Sequence, residues 1–273
     1  MIRKAYVDVA DGQMHYRYSA EGSGPPLVFF HMTAASSAAY VPLMEKLEGH
    51  MPLFAFDSMN YGESYRTTHE PTIGYMAAVM LEALRNLGVE RFHTFGHHTG
   101  ASIQSEMAVQ APGRVLSTIL SGPTYARPDE MTMFTETLAW PNPRNVKGTH
   151  LTAAWARIRG NMNMLNYFEW PPHAAEIMDR DVIDMLRAGD DWCWAYRAVY
   201  SHDLIDRMSR QSAPMMFICG KQDPAFPLHA RAVADFPDAP VHENDVGGVY
   251  YTETHPEDCV EPILRFLNGL GVA

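Results

Sequence analysis

The chain has 273 residues, 47% of them hydrophobic, and carries 21 basic against 32 acidic side chains, for a formal charge of -11. A chain this long and this apolar can bury a substantial core as one large domain with an insertion, while its acidity argues against nucleic acid or an anionic membrane as partner, since both need a basic face. No apolar run approaches the ~20 residues of a membrane span, the first residues lack a signal-peptide segment, and Cys193, Cys219 and Cys259 are odd in number and widely spaced; the expectations are a cytoplasmic protein with reduced thiols and no zinc site.

Residues 4 to 20 alternate polar and apolar around Asp11-Gly12, which predicts an opening hairpin. Leu27 to His31 and Pro52 to Asp57 read as short buried strands, and between them Tyr40, Leu43, Met44 and Leu47 recur at helical spacing. A longer helix is predicted by Ile73, Met76, Ala77, Met80, Leu81, Leu84 and Leu87, with its stop at Gly88. Arg91 to Phe95 reads as a strand, Ala101 to Gln110 as a helix closed by Ala111-Pro112, and Val115 to Leu120 as another strand. Strands that alternate with helices predict a mostly parallel sheet. From Tyr125 to about Gln211 the texture changes. Trp140, Trp155, Trp170, Trp192 and Trp194 all fall here, with many methionines and the turn-forming Trp140-Pro141-Asn142-Pro143 and Trp170-Pro171-Pro172, a composition that packs small helical units well.

Gly96-His97-His98-Thr99-Gly100 joins the Arg91 strand to the following helix. Gly96, Gly100 and Ala101 supply the small residues needed where a larger side chain would strike the neighbouring backbone. Strand, tight turn and helix together make a nucleophile elbow, which holds one side chain on a strained bend above a sheet. This segment, with Phe29-Phe30-His31, Asp57-Ser58-Met59-Asn60-Tyr61-Gly62-Glu63-Ser64, and Phe217-Ile218-Cys219-Gly220-Lys221-Gln222-Asp223 before Pro227, resembles the α/β-hydrolase superfamily over nearly the whole chain. The resemblance implies an α/β fold with a mostly parallel central sheet flanked by helices. Residues 1-124 and 210-273 would form the core, and 125-209 an inserted helical cap over the site. It also implies Asp223 as the catalytic acid and the backbone N-H groups of Thr33 and Thr99 as the oxyanion hole, with Met32 the alternative to Thr33.

The chain departs from the family pattern at two catalytic positions. His98 stands where G-x-S-x-G has its serine, and the usual catalytic histidine, seven residues before the Pro256-Glu257 pair, is Val249. The two changes fit together, because an elbow imidazole can lean into the volume that a second ring would occupy and hydrogen-bond Asp223. That gives a His98-Asp223 dyad working as a general base. The chemistry left open is hydrolysis of a small apolar or aromatic ester, lactone or activated ketone, or else cofactor-independent carbon-carbon cleavage, decarboxylation, elimination or isomerisation. A catalytically inactive small-molecule-binding protein is the alternative outside enzymes. Pocket candidates are His31, Met32, Trp140, Trp192, Trp194 and Val249. His97 faces away from His98 as a packed residue, and His255, before Pro256, reads as a helix cap or an exposed residue. No nicotinamide, flavin or metal motif stands out, so no cofactor is expected; a small molecule is the expected partner, and a homodimer stays open.

Overall fold

A computed structural model of the chain describes residues 1-163, 173-245 and 247-271. The hairpin predicted at the N-terminus is β1 (Arg3–Val9) and β2 (Gly12–Ser19), paired antiparallel. There follow β3 (Leu27–Phe30), α1 (Val41–Leu47), β4 (Leu53–Phe56), α2 (Ile73–Asn86), β5 (Phe92–His97), α3 (Thr99–Gln110) and β6 (Val115–Ser121). Helices described next are α4 (Pro128–Leu138), α5 (Thr149–Asn163), α6 (Ala174–Ala188), α7 (Trp194–Tyr200) and α8 (Leu204–Arg210). The chain closes with β7 (Met215–Gly220), α9 (Phe226–Asp235), β8 (Val241–Asn244), α10 (Tyr251–Thr254) and α11 (Pro256–Gly269). The turn expected at Trp170-Pro171-Pro172 lies outside the described residues.

The strands form one sheet in the order β1-β2-β4-β3-β5-β6-β7-β8, and every pairing from β4 to β8 is parallel. All residues of β3 and β5 are buried, as expected of central parallel strands covered by helices on both faces. Alternation sorts their side chains. Val28 and Phe30 join the cluster that contains the apolar face of α2, while Leu27, Phe29 and Phe95 pack with Leu43, Met44 and Leu47 of α1 and Ile263 and Leu267 of α11. β8 was not anticipated from sequence: Val-His-Glu-Asn has no apolar run, because an edge strand exposed along one side needs none. Among the described residues no helix is long and apolar enough to cross a membrane.

The Asp57 segment folds into a hydrogen-bonded loop at the sheet's C-terminal ends. The Asp57 carboxylate bonds His15 Nδ1 at 2.7 Å and accepts Ser37 N-H at 2.7 Å and Glu63 N-H at 2.8 Å. Burial works to raise its pKa, but the His15 bond and these N-H groups overcome that and hold it well below the usual carboxylate range. Asn60 takes the left-handed backbone with φ 73°, a conformation asparagine tolerates better than most residues.

The helices between β6 and β7 are fastened to the sheet layer in part through α6. Tyr250 Oη donates to Asp181 at 2.7 Å, Ser36 Oγ donates to Asp184 at 2.6 Å, and Arg180 pairs with Asp181 and Glu253. Arg180 thus serves two carboxyls while Asp184 is held by a hydroxyl, and burial pushes Asp184 up to about 6 and Glu253 up to about 7.

Candidate active site

The elbow is built by close backbone approach. A Cβ on Gly96 would collide with the Gly100 carbonyl, and one on Gly100 would collide with the Phe30 carbonyl, so α3 can cross both β5 and β3 only with glycine at these two positions. Between them His98 is forced to φ 47°, ψ -104°, outside the regions open to ordinary residues. This bend turns the ring away from the helix and over the end of the sheet.

His98 Nε2 lies 2.8 Å from Asp223 Oδ2, with Asp223 on the turn directly after β7. The carboxylate is 1% exposed and the imidazole 19%, so the pair is covered on the acid side and open on the ring side. Burial opposes the charged acid, but the charge and hydrogen bond of His98 and the N-H of Ala225, 2.7 Å from Oδ1, keep its carboxyl below the usual range. A Cβ on Gly122, the residue after β6, would stand 2.8 Å from the His98 ring and 3.1 Å from Asp223 Oδ2, and its φ is +52°. Gly122 is therefore the gap through which the ring reaches the acid.

His97 is buried, its ring stacked on His98 with centroids 4.0 Å apart. Its Nδ1 lies 2.9 Å from Ser121 Oγ, and burial together with the charge at His98 lowers its pKa to about 3. It is a neutral platform for the His98 ring. Nitrogen and oxygen atoms of His97, His98 and Asp223 come within 4.8 Å of one another, close enough to share a metal ion, although here ring and carboxylate touch directly.

Thr33 and Thr99 are brought side by side, with Oγ1 atoms 2.8 Å apart, and the Thr33 carbonyl accepts Tyr196 Oη of α7 at 3.1 Å. Neither backbone N-H donates to a backbone acceptor among the described residues. A cavity of about 320 Å3 opens beside Thr99, with Met32 rather than Thr33 on its wall. Met32, His98, Thr99 and Val249 line it from the sheet layer; Phe134, Leu138, Arg157, Tyr196, Val199 and Tyr200 line it from the helices between β6 and β7.

Several candidates from the sequence fall elsewhere. His31 is buried, its Nδ1-H donating to the Met32 carbonyl at 2.7 Å and its Nε2 accepting Ser58 N-H at 2.9 Å; it ties two loops together and is held neutral by burial. Trp140 is 45% exposed, Trp192 is 2% exposed beneath the Arg157 guanidinium, and Trp194 is half-buried; none lines the cavity. Trp192 is enclosed where the segment between β6 and β7 meets the Asp57 loop, its carbonyl accepting Tyr61 Oη at 2.7 Å. A large apolar ring is of more use sealing that seam than lining an open wall. His255 is the N-cap residue of α11 but makes no capping side-chain bond; its Nδ1 lies 2.8 Å from Thr254 Oγ1. Sequence reasoning missed Gly122, Arg157 and the ring wall of Phe134, Tyr196 and Tyr200. Only Gly122 carried a signal, as a glycine two residues past a predicted strand.

The family model of the alpha/beta hydrolase fold matches residues 25–249. A protein of Mycobacterium phage D29, named a non-heme haloperoxidase, is 33% identical over 113 residues, 41% of this chain and 40% of that one. Haloalkane dehalogenase 2 of Mycobacterium tuberculosis is 26% identical over 282 residues, covering 95% of this chain and 93% of its own. The first curated relatives are matched over 40%, 44%, 31% and 41% of their length. Among solved structures, the enol-lactonase from Burkholderia xenovorans LB400 superposes with a TM-score of 0.77 at 16% identity, covering 97% of this chain and 100% of that one. With the family match running from before β3 to Val249, and with sheet order, elbow and acid turn all in place, the chain belongs to the α/β-hydrolase fold family.

Proposed function

We propose that the protein is a cofactor-independent hydrolase of a small apolar or aromatic ester, lactone or activated ketone, with His98 as general base. The observation that carries this reading is the 2.8 Å His98-Asp223 contact on a strained elbow whose ring opens into a cavity. Because Nε2 faces the acid, Nε2 carries the proton and Nδ1 keeps the lone pair. Nδ1 takes a proton from water, the resulting hydroxide attacks the acyl carbon, and the N-H groups of Thr33 and Thr99 stabilise the oxyanion. Collapse of the tetrahedral intermediate expels the alcohol oxygen, which recovers the proton from the imidazolium. Direct attack by imidazole is the poorer route, since the acylimidazole would need a second base and Val249 cannot be one. Asp223 orients the ring and stabilises its protonated form without itself being protonated.

Turnover of p-nitrophenyl acetate and dihydrocoumarin by the wild type, beside His98→Ala and after fluorophosphonate treatment, tests the proposal. The expected result is hydrolysis that survives fluorophosphonate and drops roughly 10²-fold or more in the variant. Stoichiometric labelling of a serine, or a variant as fast as the wild type, overturns it.

A further inference from the structure

Arg157 on α5 is one of the cavity-lining residues, together with His98. Its guanidinium carbon lies 4.8 Å from the Trp192 ring centroid and 5.5 Å from that of Tyr196. Several other arginines are matched to acids, Arg180 to Asp181 and Glu253, Arg197 to Glu70, Arg207 to Glu106 and Arg231 to Glu130, while Arg66 and Arg144 donate to backbone carbonyls. Arg157 pairs with no carboxylate among the described residues, in a chain with 32 acidic side chains to offer. A guanidinium packed against ring faces keeps its planar fork of N-H donors in the edge, which is the geometry for taking a carboxylate through two parallel bonds. Apart from Arg157 and His98, most of the cavity wall is apolar or aromatic, so a second charge in the ligand has little to meet.

We propose that Arg157 is a specificity-determining residue that binds the carboxylate of an anionic substrate, whose apolar or aromatic body lies against Phe134 and Tyr200 while the reacting acyl group meets His98. The last clause rests on the hydrolase reading above; the anion site itself does not. The substrate class is thus a small apolar or aromatic carboxylic acid that also carries the scissile bond.

The test is a titration of phenylacetate, 3-phenylpropionate and 4-phenylbutyrate, each beside its neutral primary amide, followed by calorimetry and by the fluorescence of Trp192 beneath the guanidinium. The wild type is expected to bind at least one carboxylate roughly 10- to 100-fold tighter than its amide. Arg157→Gln removes that preference while amide binding stays, Arg157→Lys restores part of it, and His98→Ala leaves it intact. Equal binding of carboxylate and amide by the wild type, which needs no variant to fold, overturns the proposal, as does an undiminished preference in a folded Arg157→Gln protein. Retained carboxylate preference together with undiminished turnover in His98→Ala would sink the catalytic reading and leave the anion site standing.

Discussion

Two histidine-aspartate pairs have nearly the same contact and different surroundings. His15 Nδ1 meets Asp57 at 2.7 Å with both side chains at most 2% exposed, while His98 Nε2 meets Asp223 at 2.8 Å with 19% of its side chain open to a cavity. Asp57 also accepts two loop N-H groups, so its carboxylate is the knot of a turn, and the second nitrogen of His15 is buried without a hydrogen-bond partner among the described residues. The free nitrogen of His98 belongs to a ring on the cavity wall. An imidazole-carboxylate contact therefore does not by itself mark an active site; an accessible second nitrogen and room for a reactant are also required.

The strongest way to break the comparison is to remove each ring. His98→Ala should cost roughly 10²- to 10⁴-fold in kcat with little change in melting temperature, because the elbow is set by Gly96 and Gly100 rather than by its side chain. His15→Ala should do the reverse and lower stability by about 3 kcal/mol, since it leaves a buried carboxylate without its ring partner. Steady-state kinetics and denaturant melts on the two variants check both halves; a His15→Ala protein that is fully stable but inactive would invert the assignment.

A smaller effect is expected from Gly122→Ala. The new methyl would stand 2.8 Å from the His98 ring at a backbone with φ +52°, so the ring must withdraw from Asp223. Turnover should fall about tenfold through lost positioning, with about 1 kcal/mol of backbone strain besides. Rates after correction for the folded fraction separate the two; an unchanged rate would mean that the ring does not need this path to the acid.

The mildest test extends the comparison to carboxyls that lack a sufficient cation. Asp57 and Asp223, each against an imidazole, have lowered pKa values, whereas Asp184, against the Ser36 hydroxyl, and Glu253, sharing Arg180 with Asp181, are raised to about 6 and about 7. A carboxyl raised in the folded state binds its proton more tightly there than in the unfolded chain. Its stabilising contribution is complete below about pH 4 and is lost as pH climbs through 6 to 7. Glu253→Gln should remove part of this dependence, so that between pH 5 and 8 the wild type loses on the order of 2 kcal/mol relative to the variant. Parallel pH-stability curves for the two proteins would show instead that Arg180 holds Glu253 charged throughout.

The residues by themselves determined the parts of this protein that depend on local rules. Period-two and period-three-or-four spacing placed most strands and the helices carrying Leu43 and Met76, and glycines at 96 and 100 marked the elbow, because the backbone collision they relieve lies within one strand-turn-helix unit. His98 and Asp223 were legible through the register of the motifs around them. Tertiary structure decided the rest. Asp57 was visible as part of a loop motif, but its partner His15 is 42 positions away on the hairpin, and no spacing rule connects them. Which ring nitrogen faces the acid depends on how far the elbow swings His98 past Gly122. The tryptophans drew attention in the sequence as candidate pocket walls, yet the rotation of each helix between β6 and β7 put Trp192 into the seam and Tyr196, Tyr200 and Arg157 onto the cavity. Composition gives a helix its apolar content, but only packing against its neighbours fixes which side chains turn toward the empty space.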